Sequence, residues 1–171
     1  IGLTPESVKA LTDRNHEVLV ESNGGFEAGF TNDDYLKAGA NIIQTPEEIF
    51  KKAELIVKVK EPQMKEVEMI REGQIIYTYL HLAAAKELTL GLMKTKSICI
   101  AYETVTDDSG RLPLLAPMSA VAGRMSVQAG AHALEKNQKG RGLLIGGAPG
   151  VDPANVVILG GGVVGENAAI I

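Results

Sequence analysis

The stretch ELIVKVKEPQMKEVEMIREGQIIYTYLHL, residues 54–82, decides the fold of this chain. It contains a β-branched run, ELIVKVK, then the helical pattern QMKEVEMIREG, which ends at Gly73, and then a second β-branched run, QIIYTYLHL. A strand, a helix and a second strand in this order are typical of a right-handed βαβ unit, whose two strands lie parallel. The stretch therefore predicts an α/β fold built on a parallel sheet.

The same alternation continues on both sides of this unit. Before it, the sequence predicts a helix in TPESVKALTDRNH, a strand in HEVLVES, and two capped helices in TNDDYLKAGA and TPEEIFKKA. After it, AAAKELTLGLMKTK predicts a helix and SICIAYETV a strand. We expect residues 1–113 to form one domain, a Rossmann-like parallel sheet covered by helices on both faces.

The pattern changes after this domain. TDDSGRLPLLAP, residues 106–117, contains turn residues and two prolines. MSAVAGRMSVQAGAHALEKN then predicts a long helix whose small residues suit close packing against another helix or another subunit. A Gly- and Pro-rich connector follows it. We expect a linking segment over residues 114–150 and the start of a second α/β domain over residues 151–171.

The closing stretch, VVILGGGVVGENAAII, has the order of a dinucleotide site: a strand, then Gly160-x-Gly162-x-x-Gly165, then a helix. The glycines permit a tight turn, a close backbone approach to a pyrophosphate, and close packing of helix on strand. The amides of Val163 and Val164 would then lie at a helix N-terminus, which favours an anion. The alternative is a glycine-rich turn that binds no ligand.

Lys60 and His81 end two successive predicted strands. If these strands are neighbours, both side chains reach the edge of the sheet where ligands of α/β proteins collect. They would supply a cation for a carboxylate or carbonyl and an imidazole suited to proton transfer near neutral pH. The alternatives are a solvated lysine and a histidine that only caps a loop.

The composition narrows the function classes. Hydrophobic residues make up 45% and charged residues 22% of the 171 residues, which is typical of a globular protein. A net charge of −4 without a basic stripe argues against a nucleic-acid partner, and no apolar run is long enough for a membrane helix. The single cysteine, Cys99, excludes an internal disulfide and indicates a reducing compartment, the cytoplasm. Cysteine and histidine spacing predicts no metal site.

Several blocks together carry a resemblance: VKVKEP, TYLHLA, IAYETV, PMSAVAGRMS, GGAPGV and VVILGGGVVG. In this order and spacing they resemble the alanine dehydrogenase and transhydrogenase family over residues 1–171, and they imply a chain truncated at both ends. The block YLHLA favours the dehydrogenase branch, because the transhydrogenase subunit is not expected to carry its histidine. The resemblance implies a substrate domain followed by a long helix and the start of a Rossmann NAD-binding domain.

The resemblance also implies an activity: reversible, NAD-dependent oxidative deamination of L-alanine to pyruvate and ammonium, by an enzyme of which this fragment alone is inactive. It makes His81 the catalytic acid/base, Lys60 a substrate-binding residue, and Ser119 a cofactor contact beside Val163 and Val164 at the pyrophosphate turn. It implies a homo-oligomer, often a hexamer. Two alternatives stay open: a nucleotide-binding subunit of a proton-translocating NAD(P) transhydrogenase, and a binding module without catalysis.

Overall fold

The computed structural model describes residues 1–171 and divides into two compact units, Ile1–Val105 and Thr106–Ile171. Helices and strands alternate in the first unit: α1 (Pro5–Thr12), β1 (Leu19–Glu21), α2 (Asn32–Lys37), β2 (Asn41–Ile43), α3 (Pro46–Lys52), β3 (Leu55–Val57), α4 (Met64–Val67), β4 (Ile75–Thr78), α5 (Lys86–Thr95) and β5 (Ile98–Ala101). Short 3₁₀ turns lie at Phe26–Ala28, Leu82–Ala84 and Tyr102–Thr104. The α/β class is confirmed.

All strand pairs in the first unit are parallel. β1 pairs with β2, and β4 lies between β3 and β5 in a separate sheet of three strands. Ile76 of β4 aligns with Ile56 on one side and Cys99 on the other. The βαβ unit predicted from the opening stretch is therefore present, and the carboxyl ends of β3, β4 and β5 meet at one edge.

The expectation of one sheet covered on both faces is wrong for this chain. The strands form two sheets, and β2 lies in a segment for which the sequence predicted no strand. On the three-stranded sheet, one face packs into the core, whereas Leu55, Ile98 and Ile100 of the other face are 46%, 54% and 42% exposed. The alternating pattern of these strands fits a sheet with one buried face.

The larger core cluster lies against this sheet and combines residues of α3, β3, β4, α5 and the α4 region: Phe50, Ile56, Val67, Ile70, Ile76, Leu80, Leu88 and Leu92. Leu80 is only 1% exposed, although it lies beyond the end of β4. Its burial fixes the chain just after the strand, where the next residue is His81. The core therefore anchors one side of the segment that carries this histidine.

The second unit contains two α-helices, α6 (Ala116–Leu134) and α7 (Val163–Ile170), and a 3₁₀ turn at Lys136–Gln138. The helices pack closely at the buried Gly123, because a Cβ there would lie 2.3 Å from the carbonyl oxygen of Val164. The Nε of Arg124 also donates to Oδ1 of Asn167 at 3.1 Å. Close packing of the small-residue helix against another helix is thus present.

The strand predicted just before the glycine turn is not formed. Residues 155–159 have no strand assignment, and Val157 and Leu159 are 81% and 94% exposed. A β-strand requires hydrogen bonds to a neighbouring strand, and no segment of this chain pairs with these residues.

No helix of the protein combines the length and the apolar character that crossing a membrane requires.

Candidate functional site

The ends of β3 and β4 are tied together beside Lys60. The buried Thr78 donates a hydrogen bond from Oγ1 to the carbonyl oxygen of Lys60 at 2.9 Å, and the amide of Tyr79 donates to the carbonyl oxygen of Val59 at 3.3 Å. The two strands are neighbours, which was the condition for Lys60 and His81 to reach one edge of the sheet. Lys60 thus lies level with the carboxyl end of β4.

His81 lies three residues beyond the end of β4 and has a left-handed backbone, with φ 50° and ψ 35°. This conformation costs a residue other than glycine roughly 1–2 kcal/mol. Its side chain is exposed, and the 3₁₀ turn Leu82–Ala84 begins directly after it. A strained backbone at a chemically useful residue is a pattern found at functional sites, provided that other contacts stabilise it.

The carboxylate of Glu103 supplies such contacts. Its Oε1 accepts hydrogen bonds from the amide of His81 at 2.8 Å and from the amide of Leu80 at 3.1 Å. Burial opposes ionisation of Glu103, but the backbone N–H groups of His81, Glu103 and Leu80 outweigh it and hold the pKa of Glu103 below its usual value. An anionic Glu103, from the 3₁₀ turn after β5, therefore anchors the chain after β4.

Aromatic rings surround the backbone of this region. The ring of Tyr79 stacks on the imidazole of His81, with centroids 6.2 Å apart and an interplanar angle of 14°. Tyr102 makes edge contacts to Tyr79 at 5.0 Å and to Tyr77 at 4.3 Å. Burial, followed by the neighbouring Tyr77 and Tyr79, raises the pKa of Tyr102 to about 12. Tyr102 is therefore neutral at physiological pH and contributes packing rather than charge.

A cleft of ≈ 400 Å³ opens beside His81. The residues lining it are His81, Leu82, Ala83, Ala84, Ala101, Glu103 and Thr104. Its volume suits a small organic molecule, and its walls combine small apolar groups with one imidazole and one carboxylate. The side chain of Lys60 is exposed and does not line this cleft, and Lys58 is paired with Glu66.

The second unit contains the glycine turn. Gly160 has a φ of 99°, a conformation that a side chain disfavours, and a Cβ on Gly165 would lie 1.9 Å from the carbonyl oxygen of Gly160. Helix α7 follows, with Gly162 as its N-cap and no side-chain hydrogen bond at this end. The amides of Val163 and Val164 thus occupy the first turn of a helix that no side chain caps.

A cavity of ≈ 1210 Å³ adjoins this turn. The predicted cofactor residues all line it: Ser119, Gly160, Gly162, Val163, Val164 and Gly165. Arg141 and Asp152, which the sequence did not single out, line it as well. A concave wall with uncapped helix amides and a crowded glycine backbone fits a dinucleotide, whose pyrophosphate needs close approach to the main chain.

Glu103 and Tyr79 were missed as functional candidates. Both occur in the quoted blocks IAYETV and TYLHLA, and one indication was present: Glu103 lies near the end of a predicted strand, as His81 does. The sequence alone does not show that β4 pairs with β5, and this pairing brings the two strand ends together. In the structure, no three His, Cys, Asp or Glu side chains are grouped as metal ligands would be.

Comparison with known proteins shows which family the chain belongs to. The family profile described as "Alanine dehydrogenase/PNT, N-terminal domain" matches residues 1–122, and that of the C-terminal domain matches residues 126–171. Alanine dehydrogenase of Halomonas elongata is 54% identical over 99% of this chain and 46% of its own length. That of Mycobacterium tuberculosis is 47% identical over 99% of this chain and 46% of its own length.

Solved structures give the same result. An L-alanine dehydrogenase matches with a TM-score of 0.90 and 51% identity, over 99% of this chain and 46% of the other. A transhydrogenase from Sinorhizobium meliloti matches with a TM-score of 0.76 and 24% identity, over 96% of this chain and 49% of the other, which shows a shared fold alone. The chain thus spans about half the length of these relatives. On these matches, the chain belongs to the alanine dehydrogenase/PNT family.

Proposed function

We propose that these residues are part of an L-alanine dehydrogenase, an enzyme that reversibly converts L-alanine, NAD⁺ and water to pyruvate, ammonium, NADH and a proton. The observation that carries the proposal is His81, a histidine in the block YLHLA at the mouth of a small cleft beyond the carboxyl end of β4. The proposal is supported by relatives named alanine dehydrogenase, whose sequences are 54% and 47% identical to this chain. A proton-transfer group in a cleft of this size suits a small amino acid better than a second dinucleotide.

The glycine turn and Ser119 are proposed to hold NAD. The amides of Val163 and Val164 would receive the pyrophosphate, with Gly160, Gly162 and Gly165 keeping the main chain free of side chains. NAD supplies the hydride acceptor of the oxidation. In this proposal, the protein's own contribution to that step is to hold and orient the cofactor.

His81 is proposed to be the acid/base of the reaction. In alanine oxidation, its imidazole would take a proton from the water that adds to the oxidised substrate carbon. In the reverse reaction, it would give a proton back when the carbinolamine loses this water. The stacked ring of Tyr79 limits the orientations open to the imidazole. Lys60 is proposed to bind the substrate carboxylate and polarise the carbonyl oxygen of pyruvate as a point charge.

The wider organisation is proposed as follows. Residues 1–113 form the substrate domain, residues 114–150 the linking helix and connector, and residues 151–171 the start of the NAD-binding domain. We propose a cytoplasmic homo-oligomer, often a hexamer in this family. Helix α6 supports an oligomer, because Met118, Val121 and Met125, at helical spacing on one face, are 50%, 56% and 58% exposed.

The test is NADH formation by the complete protein with a panel of amino acids. L-alanine is expected to be the preferred substrate, and pyruvate with ammonium is expected to drive the reverse reaction. Hydride transfer from NADH to an NADP analogue, measured on the same sample, examines the transhydrogenase alternative. Transfer between nucleotides without alanine-dependent NADH formation would overturn the proposal in favour of that alternative. If the sample shows neither activity, a binding module without catalysis is favoured.

A further inference from the structure

Glu103 is the charged group in direct contact with the segment that carries His81. Its Oε1 accepts hydrogen bonds from two successive amides, those of Leu80 and His81, and its Oε2 accepts a longer one, 3.3 Å, from Leu80. Glu103 comes from the 3₁₀ turn Tyr102–Thr104, after β5. The carboxylate therefore links the end of β5 to the chain that leaves β4.

The amide of His81 donates to no other acceptor, and His81 has the left-handed backbone that is disfavoured for residues other than glycine. Hydrogen bonds from backbone amides to a charged acceptor are stronger than those to a neutral acceptor. The contacts with Glu103 therefore oppose the strain of this backbone. Without them, an ordinary right-handed or extended backbone would be favoured, and the imidazole would leave its place in the cleft.

From this geometry we propose that Glu103 is a positioning residue, which holds the backbone of His81 in its left-handed conformation and so keeps the imidazole at the cleft. The proposal rests on the proposed function only in treating His81 as the acid/base. Glu103 contacts the main chain of His81, so it leaves both ring nitrogens free. Its lowered pKa keeps the carboxylate ionised, and therefore a strong acceptor, at physiological pH.

The test compares Glu103→Gln and Glu103→Leu in the complete enzyme. Gln keeps the length and one acceptor oxygen but loses the charge, whereas Leu has a similar volume and no acceptor. We expect kcat with L-alanine to fall about tenfold for Gln and about 10²-fold for Leu, the scale that a misplacement of about 1 Å produces. The KM for NAD is expected to stay unchanged. Glu87→Gln is the matched control, because Glu87 is exposed in the first turn of α5 and has no side-chain hydrogen bond or ion pair.

Hydrogen exchange measured by mass spectrometry gives a second readout that needs no substrate. Peptides covering residues 79–85 are expected to exchange faster in both Glu103 variants, with peptides of the core strand β4 unchanged. Wild-type kcat and wild-type exchange in Glu103→Gln and Glu103→Leu would overturn the proposal. So would faster exchange throughout the unit, since that would make Glu103 a general stability residue.

The two readouts separate this proposal from the proposed function. If the wild type forms no NADH from any amino acid, the function fails, and the exchange of residues 79–85 still decides whether Glu103 anchors His81. If Glu103→Leu does not fold, Glu103→Gln decides by the same measurements. A graded loss from Glu to Gln to Leu supports positioning, whereas an equal loss in both variants would contradict it.

Discussion

Replacing Gly165 by alanine tests the glycine turn most directly. A Cβ at this position would lie 1.9 Å from the carbonyl oxygen of Gly160, whereas Cβ contacts in proteins essentially never fall below 3.0 Å. The two atoms would have to separate by at least 1.1 Å, the difference between these distances. Because the obstructing atom belongs to the backbone, the movement has to come from the turn or from the start of α7.

This movement displaces the amides proposed to bind the pyrophosphate. Overpacking a close contact costs typically about 1–3 kcal/mol. If that cost falls on the bound conformation, the Kd for NAD increases by about 5-fold to 150-fold. Isothermal titration of NAD into the complete protein measures this change. Thermal unfolding of the same sample shows whether the variant is folded.

Gly161→Ala is the matched control, because Gly161 lies in the same turn and a Cβ there meets no atom within 4 Å. Unlike Gly160, Gly161 does not have a positive φ angle. We expect its Kd for NAD to stay close to that of the wild type. An unchanged Kd in a folded Gly165→Ala variant, or an equal loss in both variants, would refute the reasoning from backbone crowding.

Four further outcomes are expected. His81→Ala lowers kcat for alanine by about 10²–10⁴-fold with an unchanged Kd for NAD, and retained alanine-dependent NADH formation would exclude His81 as the acid/base. Lys60→Ala raises the KM for pyruvate, so an unaltered pyruvate dependence would count against its role. Gly123→Ala forces α6 from α7 and lowers the thermal midpoint, whereas Gly130→Ala, with no atom within 4 Å, leaves it unchanged or raises it. The ionised Glu103 stabilises the folded state at pH values above about 4.5, the pKa of this carboxyl in the unfolded chain, and this stabilisation is lost as the pH falls through its lower pKa in the folded protein. An acid-unfolding curve of Glu103→Gln that is identical to that of the wild type would contradict this.

The βαβ unit could be predicted because its information is local. The β-branched runs around Ile56 and Ile76 and the intervening helical pattern specify their own conformations, and right-handed crossover then makes the strands parallel neighbours. The same local information indicated His81 and Lys60, since each lies at the end of a predicted strand. It could not show that Lys60 stays outside the cleft, because that depends on side-chain direction at the strand end.

The errors arose where structure depends on distant pairing. Residues 155–159 have strong β-propensity, but a strand forms only against a partner, and none is present in the chain. The strand Asn41–Ile43 was missed for the opposite reason: it is short, and its pairing with β1 rather than its composition makes it a strand. The roles proposed for Ser119, Val163 and Val164 stay predictions, although these residues share one cavity.

The contact between Glu103 and His81 shows why a site residue can be found from sequence while its support cannot. A histidine after a strand is visible as a residue type at a position, and its chemistry follows from the imidazole. The conformation of its backbone depends on an acceptor 22 residues away in sequence, which comes within 2.8 Å only because β5 pairs with β4. Any change that shifts β5 against β4 should therefore reach His81 through Glu103, even if it alters no residue that lines the cleft.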